Sequence, residues 1–357
     1  MMRIRITAAL PLALGLAACI PSTDRSRPPP PPPGGEPLDL PAPGDRADAS
    51  DDVSRLPAPR PAWEARPVSA DAQDVAEQIY VVRPGDSLRL IAQRIGAGSE
   101  AIARANGLSA PFTIYAGQRL RIPGGRYHQV RSGQTGIAIA RAYGVQWSRI
   151  VAANELEEPY ILRTGQHVLI PGDSRAGTNY AERAAAFRLD IDDIITGGEP
   201  ALAVNQVPAK PVASSRRVLP TTAAVEAPKT GPGRFLWPVD GKVVSRFGTG
   251  ASGVRNNGVK IAVPVDTPVK ATADGTVAYV GDGIAALGGL VIVRHGENWT
   301  SVYGHASKLL VQRGQAVKKG QTIALSGDTG FADRPELHFE LRKGRSPVDP
   351  TAQLPRR

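Results

Sequence analysis

Five histidines and a single cysteine are the side chains of this chain with the richest chemistry. A hydrolytic zinc centre takes three protein ligands of nitrogen or carboxylate type and leaves a fourth position for the water that it activates. His128 and His167 lie in an internal repeat, and His295, just before Gly296, reads as part of a strand and its turn. His305 and His338 remain. Cys19 has no partner for a disulfide and follows Leu16-Ala17-Ala18 at the end of an apolar run.

That run, Ile6 to Ala18, is preceded by Arg3 and Arg5 and is too short to span a bilayer, which predicts a signal peptide over residues 1–18. Leu16-Ala17-Ala18-Cys19 resembles the bacterial lipobox, and the resemblance implies that the Cys19 thiol takes diacylglycerol and anchors the chain to a membrane. Ile20 follows where an Asp would signal retention, so the expected location is the outer membrane, lipid-anchored and facing the periplasm. Residues 19–77 are rich in Pro, Ala, Asp and Arg, contain an unbroken run from Pro28 to Pro33, and predict a disordered tether. The net charge of +10 suits an anionic partner. An exported chain does not meet the chromosome and no basic patch is interleaved with aromatics, so no nucleic-acid partner is expected.

Sliding the chain on itself by 48 residues reveals a gap-free repeat. Tyr80 to Leu88 aligns with His128 to Gly136, Asn106-Gly107-Leu108 with Asn154-Glu155-Leu156, and Gly117 to Pro123 with Gly165 to Pro171. Each unit, 78–123 and 126–172, predicts a strand, a Gly turn, a helix with apolar Leu88, Ile91, Ala92 and Ile95 at helical spacing, a second helix and a closing strand. This βααβ pattern, with Gly-Asp-Ser-Leu, Ala-Asn-Gly-Leu and Gly-Gln-x-Leu-x-Ile-Pro, resembles the LysM module. The resemblance implies a groove for N-acetylglucosamine-containing glycan strands of peptidoglycan. Carried over, the groove is Gly85, Asp86, Ser87, Asn106, Gly107 and Leu108, running on to Ala110, in the first unit. In the second it is Gly133, Gln134, Thr135, Asn154, Glu155 and Leu156, running on to Glu158. Gln134 and Gly136 depart from the acidic and apolar residues of the pattern. On the residues alone, Asn106 and Asn154 read equally well as helix or turn caps.

Residues 173–233 return to Ala, Pro and Thr and predict a disordered linker; over Ala181 to Ile195 the apolar residues lie too loosely for one clean face, which predicts a transient helix. From 234 to 351 short runs such as Val277-Ala278-Tyr279-Val280 and Leu290-Val291-Ile292-Val293, punctuated by Gly and Asp, predict an all-β domain.

Phe235-Leu236-Trp237-Pro238-Val239, Ser245-Arg246-Phe247-Gly248, Gly258 to Val269, Tyr303-Gly304-His305 and Leu337 to Arg342 resemble, in order and spacing, the LytM-type (M23) zinc peptidase domain. Active members hold zinc through His-x-Gly-x-Asp and the second His of His-x-His. Here the matching positions are Asn256, Lys260 and His338, with Glu336 in place of the first strand histidine. An ammonium has no lone pair and repels a metal ion, so the resemblance implies a degenerate site with no catalytic residue, no metal and no cofactor. The family fold brings positions 260 and 336 together, and a Lys260 to Glu336 ion pair is expected there.

The order of parts is a multidomain chain of two LysM modules and an all-β LytM-like domain joined by disordered linkers. It resembles the NlpD-type cell-division lipoproteins. That resemblance implies a non-catalytic protein that activates a periplasmic N-acetylmuramoyl-L-alanine amidase for septal wall splitting. The partner groove would comprise Arg255, Asn256, Lys260, Tyr303, His305, Glu336 and His338. A working zinc endopeptidase and a purely structural envelope tether are the alternatives.

Overall fold

The computed structural model describes residues 60–172, 179–213, 219–229, 231–249, 253 and 255–356; the signal peptide, Cys19 and Pro28 to Pro33 lie outside the described residues. The segment expected as the end of a disordered tether is ordered from residue 60. Helix α1 (Ala62–Ala65) buries Trp63, whose ring stacks on Tyr279 at 5.5 Å. Strand β1 (Gln73–Val75) joins the sheet of the second repeat unit.

The first unit is β2 (Gln78–Val81), α2 (Leu88–Ile95), α3 (Ser99–Ala105) and β3 (Arg119–Ile122), with β2 and β3 antiparallel. Ser87 starts α2 by accepting the Leu90 N–H, and Gly96 ends it in the left-handed region that only glycine enters freely. Leu88, Ile91 and Ala92 are buried on the resulting inner face. The second unit repeats the order with β4 (Gly125–Gln129), α4 (Gly136–Tyr143), α5 (Trp147–Asn154) and β5 (His167–Leu169), β4 pairing with both β1 and β5. Thr135 and Gly144 cap α4 as Ser87 and Gly96 cap α2.

Gly136 departs from the pattern for a packing reason. Trp147, fully buried, stands where the first unit has Ser99, and a Cβ on Gly136 would lie 2.5 Å from its indole. Small has been exchanged for large across one contact. The indole N–H reaches out of the unit to Thr196 Oγ1 at 3.1 Å.

Thr196 belongs to the segment expected as a disordered linker with a transient helix. The structure corrects that expectation. The segment forms α6 (Tyr180–Ala186) and α7 (Ile191–Gly197), and α7 carries a capping box between Asp190 and Asp193. Ile191, Ile194 and Ile195 are buried against α4, α5 and the C-terminal sheet. Within α7 these residues fall at i, i+3 and i+4, one clean face. A window over Ala181 to Ile195 hides it, because the chain is non-helical from Phe187 to Asp190 and the helical phase is lost there.

The C-terminal part comprises β6 (Lys242–Ser245), β7 (Gly248–Thr249), β8 (Arg255–Asn256), β9 (Val259–Ala262), β10 (Pro268–Lys270), β11 (Gly275–Gly281), β12 (Gly289–Arg294), β13 (Trp299–Leu309), β14 (Ala316–Val317), β15 (Thr322–Ser326), β16 (Glu336–Lys343), β17 (Ser346–Val348) and a short α8 (Pro350–Gln353). The main sheet runs β14-β11-β12-β13-β16-β9-β6, with β15 bridging β10 to β13 and β17 edging β16; β7 and β8 pair separately. The unbroken apolar run on β12 is buried on both faces, as such runs are. Val291 and Val293 join the domain's own core with Tyr303 and Phe339, while Leu290 and Ile292, with Val302 and Tyr279, meet α7, Trp63 and the second unit.

Candidate functional site

Strand β16 alternates: Leu337, Phe339 and Leu341 face the core, and Glu336, His338, Glu340 and Arg342 face the other way. Val302 pairs with Glu340, so this polar row shares the sheet face that α7 partly covers. Beside α7 the face opens into a cleft of about 710 Å3, lined among others by Arg255, Asn256, Lys260, His305, His338 and Asp192.

Register places Lys260 opposite His338 and two pairs along from Glu336, on the same face of the sheet. Lys260 Nζ lies 2.7 Å from Glu336 Oε1, with the lysine side chain 24% exposed and the glutamate 2%. The expected ion pair is therefore present, as a close charge contact; the oxygen takes no directed hydrogen bond. His305 Nε2 is 3.9 Å from the same oxygen, and its Nδ1 meets the Thr329 carbonyl at 2.8 Å. His338 Nε2 is committed to Glu340 at 2.9 Å, and Glu340 accepts from Arg342 at 2.8 Å. Arg342 in turn pairs with Asp192 at the start of α7. Asn256 is spent locally, donating to Ser245 Oγ and the Arg246 carbonyl and accepting the Gly258 N–H. Among the described residues no three His, Cys, Asp or Glu side chains gather as a metal set.

Burial alone would raise the Glu340 carboxyl; the hydrogen bond from His338 and the charges of His338 and Arg342 outweigh it and hold the group below its ordinary value. Burial, together with the His338 and Lys260 charges, depresses His305. His295 is structural, as the sequence suggests: its nitrogens meet the Asp274 carbonyl and Ser301 Oγ, both at 2.7 Å, and burial pushes it down to about 4.

Tyr303 is a correction. Expected in the groove, it is fully buried in the core, where its hydroxyl accepts the Thr272 N–H and the Ser301 hydroxyl, and burial pushes it up to about 12. Period-2 alternation would put residues 303 and 305 on one face. A bulge across Gly304-His305, with His305 at φ +65°, breaks the alternation and turns the imidazole to the cleft.

In the repeat units, Asn106 donates to the carbonyls of Ile102 and Arg121 and accepts the Arg121 N–H; Asn154 does the same with Ile150 and Leu169. Both amides tie a helix end to the closing strand, the capping role that the residues alone also allowed. Asp86 gathers the Tyr80 hydroxyl, the Arg83 N–H and Arg94. Gln134 takes the matching place, accepting the Arg131 N–H and contacting His128. Gly85 and Ser87 are exposed, while Gly133, Gln134 and Thr135 are buried.

Residues 80–123 and 128–171 each match the LysM domain, and residues 254–350 match Peptidase family M23. The Lipoprotein NlpD/LppB homolog of Pseudomonas aeruginosa is 37% identical over 317 residues, 82% of each chain. The chain belongs to the NlpD/LppB family. Murein hydrolase activator NlpD of Salmonella typhimurium is 29% identical over 280 residues, 78% of this chain and 68% of that one. Cell division protein DipM of Caulobacter vibrioides is 39% identical over 155 residues, 41% of this chain but 26% of its own length.

Sequence reasoning missed three cleft residues of this NlpD/LppB-family chain: Glu340, Arg342 and Asp192. The first two were within reach, since His338-x-Glu340-x-Arg342 alternates on one strand; Asp192 was hidden in the segment expected to be disordered. Its neighbour Asp193 is buried, and its carboxyl is raised to about 7 by that burial and by the charges of Asp190 and Asp192. The fold thus keeps a proton that the unfolded chain loses near 3.8, so this group's contribution to stability is present at low pH and lost as pH rises towards 7. Urea titrations of Asp193→Asn should show the variant gaining on the parent by up to about 4 kcal/mol between pH 4 and pH 8; parallel curves would contradict the assignment.

Proposed function

We propose that this chain is a non-catalytic outer-membrane lipoprotein, anchored through Cys19, that binds peptidoglycan glycan strands and activates a periplasmic N-acetylmuramoyl-L-alanine amidase for septal wall splitting. The single observation that carries the reading is the Lys260–Glu336 pair, 2.7 Å apart, whose lysine lines the cleft while its glutamate is buried. A cation stands where a metal would need a donor, and His338 Nε2 is committed to Glu340, which leaves His305 Nε2 as a single imidazole donor beside the ammonium. These residues do not suit zinc, and no hydrolytic step is assigned to them. What is left is an open cleft with charges of both signs, suited to a protein partner. The family's members named murein hydrolase activator support the same reading.

Mixing the purified chain with each periplasmic amidase of its host and following dye release from labelled peptidoglycan tests it. The chain alone should release nothing, and one amidase should be stimulated. Arg255→Glu, an exposed change at the cleft rim, should cut that stimulation at least tenfold with an unchanged melting temperature. Release by the chain alone, or no stimulation of any amidase, would sink the proposal.

A further inference from the structure

Pro200, Ala201 and Leu202 lie in the groove of the second LysM unit as an added strand. Ala201 N–H donates to the Gln134 carbonyl at 2.7 Å and Gly133 N–H to the Ala201 carbonyl at 3.2 Å. Leu202 N–H donates to the Leu162 carbonyl at 3.0 Å and Thr164 N–H to the Leu202 carbonyl at 2.8 Å. Bridges pair Thr135 with Pro200 and Arg163 with Leu202. Ala201 and Leu202 are themselves buried. The turn at 133–135, one wall named by the LysM resemblance, and Leu162 to Thr164, farther along the loop than the named residues Asn154 to Glu158, are thus occupied by the chain's own backbone.

The first unit differs at every matching position. Gly85 N–H, the Asp86 and Ile114 carbonyls and Ala116 N–H correspond to the four groups just named, and none has a backbone partner among the described residues. Leu90, Phe112 and Tyr115 stand beside them 44%, 38% and 71% exposed. An occupant of this groove must offer an N–H and a carbonyl to the open backbone groups and an apolar face to the rings. The acetamido group and pyranose ring of N-acetylglucosamine supply both.

We infer that the second unit's groove is an internal socket for residues 200–202 and takes no sugar, so that one glycan site per chain, in the first unit, serves recognition. The socket has a second fastening. Glu199, directly before the strand, pairs with Arg294 at 3.0 Å and Arg313 at 2.6 Å on the M23-like domain and accepts the Val225 N–H. The second unit is thereby a joint between the first unit and the cleft. This inference rests on the glycan binding proposed above, and the test separates the two.

Amide hydrogen exchange on the full chain, read residue by residue with and without a soluble N-acetylglucosamine hexamer, decides the matter together with calorimetric stoichiometry. Without sugar, Gly133, Thr164, Ala201 and Leu202 should exchange slowly, and Gly85 and Ala116 fast. Hexamer should slow Gly85 and Ala116 at least tenfold, leave the other four unchanged and titrate to one site. Leu202→Pro, which deletes the donor to Leu162, should speed exchange at Thr164 without altering the response at Ala116. Two sites, or faster exchange at Ala201 and Leu202 when hexamer is added, would overturn the socket. Protection of neither unit by hexamer, with Ala201 and Leu202 slow throughout, would overturn the glycan reading and uphold the socket.

Discussion

Glu199→Ala should cost the chain about 3–5 kcal/mol, the range for breaking a buried ion pair by removing one partner. Its carboxylate receives Arg294, Arg313 and the Val225 N–H, and its side chain is 5% exposed. Truncation leaves two guanidinium groups, themselves 15% and 17% exposed, without their counter-charge. Each keeps a backbone carbonyl, Ile195 for Arg294 and Ala223 for Arg313, which limits the damage and argues for the lower half of the range. Urea unfolding would measure it. A loss below about 1 kcal/mol, the ceiling for typical exposed pairs, would show that the segment is not seated between the domains.

Lys260→Met should destabilise by about 3 kcal/mol, whereas Lys260→Met combined with Glu336→Leu should be neutral or stabilising by about 1–4 kcal/mol. The single change strands a carboxylate that is 2% exposed and whose next nearest basic atom is His305 Nε2 at 3.9 Å. The double change removes both desolvated charges and fills their place with apolar atoms. A pair that fixes geometry without adding net stability produces this pattern. Equal losses in the single and double variants would mean that the lysine stabilises through contacts other than the glutamate.

The βααβ units were legible because a gap-free repeat preserves the groups that start and stop helices: Ser87 and Thr135, Gly96 and Gly144, Asn106 and Asn154. The same asparagines show where pattern stops short of chemistry. Their sequence position fits a sugar contact and a helix-end tie equally, and only the hydrogen bonds show the tie. The family resemblance brought Lys260 and Glu336 together, as the structure has them, whereas Tyr303, placed in the groove beside His305, turns to the core because one bulge at His305 shifts the phase of the strand. The docked parts were the least legible. Trp63 is a single aromatic in a Pro- and Ala-rich stretch, and α7 shows its isoleucine face only once its own boundaries are known. Low-complexity composition reports that a segment cannot make a core alone; it does not exclude a seat in someone else's.

Trp147 shows what that seat achieves. Its ring is held between Gly136 and Gly197, where a Cβ would approach within 2.5 Å and 2.6 Å, and its indole N–H reaches Thr196 on α7. A wedge trapped on both sides does not slide, so the second repeat unit and the sheet face that α7 partly covers keep one fixed bearing. On the function proposed above, such a body would work as a jig: it would set the angle at which a tool meets the workpiece, and leave the cutting to the tool.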